Sequence, residues 1–448
     1  MIGYILIFSY IFIIALWLAK VLKHKISLTF SLAFIFIMIV LYISGLMGSL
    51  ITGDIVLKII VCGCLCDLYF TRKSYKLTDL TDSSIFLLII FYIISIYLFK
   101  DNIPLQHNEI AHWALSVKNF YISNSLSKTN DLHVGYMPSV GLLGYWFLRF
   151  FKSFSDNMIY IVNSFFTYSL VISICYQIKA KQKFFISVIT IFLLPSVSNI
   201  VFNYLYIEPI LALLFVLGLI FLINNEKNSG NSIILLLVVV GLSLLKKVSI
   251  LFVVMLFLPV LSDKNETWEN KMKFILPSLT ACILINCSWK DFLIFNNLCQ
   301  ARDISGINFH NVINFIQGKG EPYQYSVITN IFNALIGKGY STIKYSGYVI
   351  PNIYFFFPSI ICMASCAVWA REHKIRQFIS AIIAFNIVYI LSLTITYMFS
   401  FAEWETTTLS GFKRYFQVIN IVNLLGIIYI YCFPVILLNL RKYSVTRY

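Results

Sequence analysis

The chain has 448 residues, of which 59% are hydrophobic and only 12% charged. Soluble globular domains carry roughly 25% charged residues, so the composition excludes a water-soluble enzyme. The formal net charge of +15 sits mostly in short loops beside apolar runs, which points to membrane orientation and not to nucleic acid.

Apolar runs fall at 2–19, 28–47, 55–70, 85–99, 159–178, 184–201, 209–223, 233–245, 248–261, 274–289, 350–369, 378–399 and 419–438. They are continuous and do not alternate, so the spans are helices and not barrel strands. The expected fold class is all-α: a polytopic transmembrane helical bundle of about 13 spans. It forms one integral-membrane domain over residues 1–448, with outer-face loops near 101–135, 290–348 and 400–414 and short interfacial helices. The first run lacks a basic start and a small-residue cleavage site, so it reads as a first span.

Basic loops recur on one side: Lys20, Lys23 and Lys25; Arg72, Lys73 and Lys76; Lys179, Lys181 and Lys183; Lys264, Lys271 and Lys273; Arg371, Lys374 and Arg376; Arg441, Lys442 and Arg447. The positive-inside trend makes that side cytoplasmic. The N-terminus is then outside and the C-terminus inside. The run 137–151, which carries Arg149, is expected as a short re-entrant or interfacial helix; a full crossing there would invert everything after it.

The first polar interruption is Gln106-His107-Asn108-Glu109-Ile110-Ala111-His112-Trp113, with Lys118 just beyond. On an α-helix Glu109, His112 and Trp113 share a face, extended by Phe120. Glu109 can take a proton from an acceptor hydroxyl or bind a divalent cation. His112 can bond a phosphate and Trp113 can stack on a sugar. The same pattern also fits an interfacial helix with an aromatic belt residue and snorkelling charges.

Further on, Glu208 opens an apolar helix, with Pro209 at its first turn. An acid there caps a helix dipole, but acids at membrane segments are also costly and often functional. Lys246-Lys247 breaks an apolar stretch too long for one span. On the outer side this pair runs against the positive-inside trend, and an anionic phosphate is a physical reason for it. The stretch from Glu403 and Glu405 to Lys413, Arg414 and Tyr415 is either a solvated loop or a second phosphate-facing group, with Arg414 as a planar fork. The segment 290–348 carries Arg302, Asp303, His310, Lys319 and Glu321; its length suits a lid over a polar acceptor or a plain loop.

Ten cysteines show no CxxC pair and no zinc spacing. Cys62, Cys64, Cys66, Cys175, Cys282, Cys362, Cys366 and Cys432 read as small core hydrophobes. Walker A, dinucleotide, HExxH and GxSxG motifs are absent from the sequence.

Taken in order, the acid-His-Trp segment, the aromatic Pro138 segment, Tyr206-Ile207-Glu208-Pro209, Leu244-Leu245-Lys246-Lys247 and Ser410-Gly411-Phe412-Lys413-Arg414-Tyr415 resemble the GT-C class of polytopic glycosyltransferases. Size, aromatic content and span number also resemble O-antigen polymerases. The resemblance covers residues 106–415. It implies a polyprenyl-phosphate- or pyrophosphate-linked sugar donor, a glycan acceptor and an active face toward the periplasm of the bacterial inner membrane, in surface polysaccharide assembly. A chain-length or assembly partner is a further expectation, and no nucleic acid is implied.

Carried over, Glu109, His112 and Glu208 are the catalytic candidates. Trp113, Lys118, Lys246, Lys247, Arg302, Glu405, Arg414 and Tyr415 are the substrate-binding ones. The sequence has Asn108-Glu109 where the class has paired acids, so no cofactor and no metal site is expected, and a divalent cation at Glu109 stands only as an alternative. The rival class is a flippase for the same lipid-linked oligosaccharide. It favours two similar halves and charges at the midplane, and neither is visible here.

Overall fold

The computed structural model describes residues 2–104, 109–126, 135–176, 178, 180–198, 201, 205–224, 229–263, 266–298, 307–336, 352–370 and 372–445. Every regular element among these residues is helical. Six helices are long and apolar enough to cross a membrane: Ile2–Leu22, Ile26–Leu46, Asn157–Ile174, Trp268–Phe295, His373–Phe399 and Phe412–Cys432. Shorter apolar helices, among them Ser84–Phe99, Glu208–Asn224 and Gly230–Leu245, fill in the bundle. Among the described residues the chain is therefore all-helical, with helices long and apolar enough to span a membrane, in keeping with its continuous apolar runs.

Two helices form the centre. Asn157–Ile174 is buried from Met158 onward, and Glu208–Asn224 is buried on every side except at Leu222. A helix that is apolar all round belongs inside a bundle. Peripheral helices carry outward apolar stripes instead, such as Leu276, Ile283 and Leu284 on Trp268–Phe295. Cys62 and Cys66, expected in the core, are exposed on Leu50–Phe70, while Cys64 between them is buried. Helical rotation sends residues two apart to different sides.

Polar contacts fix two ends of the bundle. At one end Lys20 pairs with Asp67 at 2.5 Å, His24 meets Asn231 at 2.9 Å, and Lys183 pairs with Asp82 at 2.7 Å while donating to the Ser27 hydroxyl at 3.1 Å. This is the end of the first three basic loops. At the other end the Leu50 amide donates to the Asn124 carbonyl at 2.8 Å, the Trp289 indole to the Gly135 carbonyl at 3.1 Å, and Gln324 to the Met398 carbonyl at 3.0 Å. This is the end of Glu109.

The helix Ser139–Leu148 has both termini at the Glu109 end. It starts just after Gly135, and the chain leaves it at Phe150 and Phe151, which pack against Gly3 and Tyr4. Ten residues reach only about 15 Å. The next helix then starts at Asn157, which donates to the Lys100 carbonyl at the same end.

The segment 290–348 is not a plain loop where described. It contains the helices Phe309–Ile316 and Pro322–Leu335, whose Ile316, Ile328 and Phe332 are exposed.

The Lys183–Asp82 pair is nearly shut off from water, with side chains 3% and 12% exposed. Burial alone raises the Asp82 carboxyl, but the Lys183 ammonium and bonds from Lys183, Ser27 and Ser84 outweigh it and leave Asp82 below its ordinary value. A depressed folded value gives stability that is present above about pH 4 and is lost as pH falls through the lowered value. Asp82→Asn strands the Lys183 charge, which costs about 3–5 kcal/mol. The expected result is a lower melting temperature for the purified variant at pH 7 and a weaker loss of stability on acidification. Equal melting curves from pH 7 to pH 3 would refute the pairing.

Candidate functional site

Three chain segments distant in sequence converge at the Glu109 end. Glu208 begins the helix Glu208–Asn224, with Pro209 next, where a ring without an N–H is tolerated. Its carboxylate is 3% exposed as a residue. Lys246 lies in the break between the helices Ser229–Leu245 and Ser249–Leu256. Its ammonium donates to Glu208 Oε1 at 3.1 Å. Arg414 sits in the first turn of the helix that starts at Phe412, and its Nε lies 3.4 Å from the same oxygen.

Local backbone aims Arg414. Leu409 and Gly411 adopt φ of 47° and 76°, and glycine meets that left-handed requirement without a Cβ penalty. The Tyr397 hydroxyl donates to the Ser410 carbonyl at 2.5 Å, and the Phe412 amide closes onto the Leu409 carbonyl at 3.0 Å. The reversal points the new helix back at Glu208.

Aromatic rings frame the two cations. Lys246 Nζ lies 4.7 Å from the Tyr415 ring centre, and the Arg414 guanidinium lies 4.9 Å from that of Tyr206 and 4.8 Å from that of Tyr415. Such faces hold cations electrostatically, most strongly when desolvated. Arg414 also donates to the Tyr415 hydroxyl at 2.9 Å. Burial alone lowers the Lys246 ammonium, but Glu208 opposite it raises it above its ordinary value. Two cations face one carboxylate, so the cluster keeps an uncompensated positive charge. Lys246 and Arg414 retain 19% and 22% side-chain exposure while Glu208 keeps 4%. Glu208 is thus the most deeply buried of the three, and the two cations keep the cluster's residual exposure. Glu208 Oε2 is buried without a hydrogen-bond partner among the described residues.

Glu109 lies one step away. Its Oε1 accepts from the Leu205 amide at 2.9 Å, and Tyr160, whose hydroxyl donates to the Ile103 carbonyl at 3.5 Å, lies beside it. It thus holds the segment 205–207 that leads into Glu208. The residue itself is buried, 2% exposed.

The turn Glu109–Ala114 is π-helical and not α-helical as expected. Its i→i+5 bonds widen the turn, so the i, i+3, i+4 spacing of an α-helix does not apply to this segment. The His112 side chain, like Gln106, His107, Asn108 and Arg302, lies outside the described residues. Trp113 is half-buried with its ring 6.4 Å from that of Tyr136.

Other expected members are not gathered in. Lys118 is exposed on Leu115–Ser123, whose neighbouring Val117 and Phe120 pack against Gly144 and Gly141. Glu405 turns back on its own short helix, its Oε2 accepting from the Ala402 amide at 3.3 Å. Burial, and then the charge of Lys290, lower the Lys247 ammonium below its ordinary value. Among the described residues no group of three or more His, Cys, Asp or Glu could hold a metal ion.

Tyr206 and Tyr160 are the members that sequence reasoning missed. Their signal was faint, since 28 tyrosines are spread along the chain. Tyr206 lies two residues before Glu208, which marks it in retrospect.

Removing the shared acid leaves Lys246 and Arg414 facing each other in a nearly dry space. Glu208→Gln is expected to cost about 3–5 kcal/mol, read as a lower melting temperature of the purified protein. Adding Lys246→Met in the double variant recovers part of that loss. A single variant that melts with the wild type shows that the ion cluster holds nothing together.

Comparison with protein-family models, with curated proteins and with solved structures returns no match.

Proposed function

We propose that the chain is a membrane glycosyltransferase that uses a polyprenyl-(pyro)phosphate-linked sugar to polymerise or decorate a surface polysaccharide. The observation that carries this reading is the Lys246–Glu208–Arg414 cluster, in which two partly exposed cations share one buried acid. A buried acid behind two half-shielded cations suits a phosphate leaving group: it fixes the cations in place without cancelling them. On this reading the bundle crosses a bacterial inner membrane about 13 times, with the basic loops inside and the Glu109 end toward the periplasm.

The roles follow from position. An acceptor hydroxyl attacks the anomeric carbon, the sugar–phosphate bond breaks with its electron pair going to the lipid phosphate, and Lys246 and Arg414 stabilise the charge that develops there. The hydroxyl proton passes to Glu109, the acid nearest the cluster through Tyr160 and Tyr206. Trp113 and Tyr136 offer ring faces for a sugar. Lys247 and Lys290 offer further charge for a second phosphate.

Glu109→Gln keeps an acceptor oxygen for the Leu205 amide while removing the base. It is expected to abolish polymer or side-branch formation, seen as loss of the polysaccharide ladder at normal protein level in a strain lacking the native copy. Arg414→Ala removes charge-assisted donors worth about 1.5–3 kcal/mol each, so transfer from a purified polyprenyl-linked donor should fall roughly 10- to 150-fold in kcat/KM. A wild-type ladder from Glu109→Gln sinks Glu109 as the base. Accumulation of lipid-linked units on the cytoplasmic side would make translocation the better account.

A further inference from the structure

A second cation pair lies at the Glu109 end, on the far side of the short helix Ser139–Leu148. Asp54, in the first turns of Leu50–Phe70, is 1% exposed. Its Oδ2 accepts from Lys58 Nζ at 2.8 Å and lies 3.7 Å from Arg149 Nε. Its Oδ1 is buried with no hydrogen-bond partner among the described residues. Arg149 directly follows Ser139–Leu148, whose Tyr145 hydroxyl donates to Asn124 Oδ1 at 3.1 Å and helps fix where that helix ends.

The electrostatics match those of the Glu208 cluster. Two cations share one oxygen of a buried acid, leaving a positive charge over. The side chains of Lys58 and Arg149 are 44% and 27% exposed, against 1% for Asp54. Beyond the ion pair with Asp54, the Arg149 guanidinium has no side-chain partner among the described residues. Its planar fork is left to match a phosphate.

The surroundings are a lipid surface. Ile51, Ile55 and Ile59 form an exposed stripe on the same helix, 38%, 52% and 64% exposed. A helical side chain leans toward the N-terminus, so Lys58, which lies between Ile55 and Ile59, reaches back one turn to Asp54, as snorkelling requires. A cation pair beside an exposed apolar stripe offers the two halves of a lipid site.

We propose that Lys58 and Arg149, held by Asp54, form a second anion site that seats the phosphate of a membrane lipid, with its tail along Ile51, Ile55 and Ile59. The unpartnered Asp54 oxygen needs a donor, so the headgroup carries a hydroxyl beside its phosphate. Phosphatidylglycerol and a polyprenyl-phosphate sugar both meet that description. The site requires only a membrane and does not depend on glycosyl transfer.

The test is binding to the purified full chain in nanodiscs, read by native mass spectrometry without turnover. Wild type is expected to retain phosphatidylglycerol over phosphatidylcholine. Lys58→Gln with Arg149→Gln should weaken that retention about tenfold or more, with phosphatidylcholine binding unchanged. Lys58→Gln alone alters a half-exposed side chain and should show a smaller drop in the same direction even if the double variant fails to fold. Asp54→Asn should weaken phosphatidylglycerol more than phosphatidic acid, which lacks the hydroxyl. Competition with polyprenyl phosphate-glucose decides the source: displacement below equimolar phosphatidylglycerol assigns the site to a polyprenyl lipid, and resistance assigns it to the phospholipid. Equal retention of phosphatidylglycerol by wild type and Lys58→Gln overturns the site.

Discussion

The arrangement of the Glu109 end depends on one buried carboxylate oxygen. Glu208 Oε1 is the point at which Lys246 and Arg414 meet, so three helix beginnings or breaks far apart in sequence share a single acceptor. A charge in a low-dielectric interior is stable only when paired and bonded. None of the three segments can therefore dock alone without stranding an ion. The cluster acts as a register pin: it does little for net stability against a well-packed apolar alternative, but it admits only one way of assembling these segments.

The rest of that end is built outward from this pin. Glu109 bonds the Leu205 amide and so fixes the approach to Glu208. The Leu409–Gly411 reversal sets the direction of Arg414, and Tyr415, one residue on, supplies the ring beneath Lys246. The helix Asn157–Ile174 starts at this level and brings Tyr160 to Glu109. At the opposite end the contacts are of another kind. Lys20–Asp67 and Lys183–Asp82 each balance one cation with one acid. Those pairs close the bundle, whereas the Glu208 group leaves charge over.

Much of this was legible because the chain is so apolar. In a sequence with 12% charged residues, Glu208, Lys246 and Arg414 stand out as ions that must find partners, and an ion at a helix start has few places to go. What could not be read is which ions choose each other. Glu405 looked equivalent to Glu208, yet it lies where its own helix begins and its carboxylate bonds a local amide. Lys118 looked equivalent to Lys246, but it sits on the exposed side of a short helix. The π turn at Glu109 was invisible, because periodicity arguments assume an α-helix. Asp54 was not singled out in the sequence and Arg149 only as a charge in the run 137–151; the return of the chain after Ser139–Leu148 brings them together. Helix class is a local property of apolar runs, while ion partnership is a property of the packed bundle.

The two cation-rich groups share a further feature, and it constrains what can bind them. Each acid uses one oxygen for both cations and leaves the other buried and unpartnered, Glu208 Oε2 in one group and Asp54 Oδ1 in the other. A simple anion relieves the surplus charge but does nothing for that oxygen, and it is repelled by the acid behind the cations. A ligand with a phosphate and an adjacent hydroxyl satisfies both demands: its charge meets the exposed cations and its hydroxyl donates to the spare oxygen. An unmade bond to a buried charged acceptor costs more than an ordinary hydrogen bond returns, so the hydroxyl contributes to affinity as well as to orientation. On the proposed reading, discrimination between a bare phosphate and a phosphorylated sugar or glycerol then lies with the acid and not with the cations.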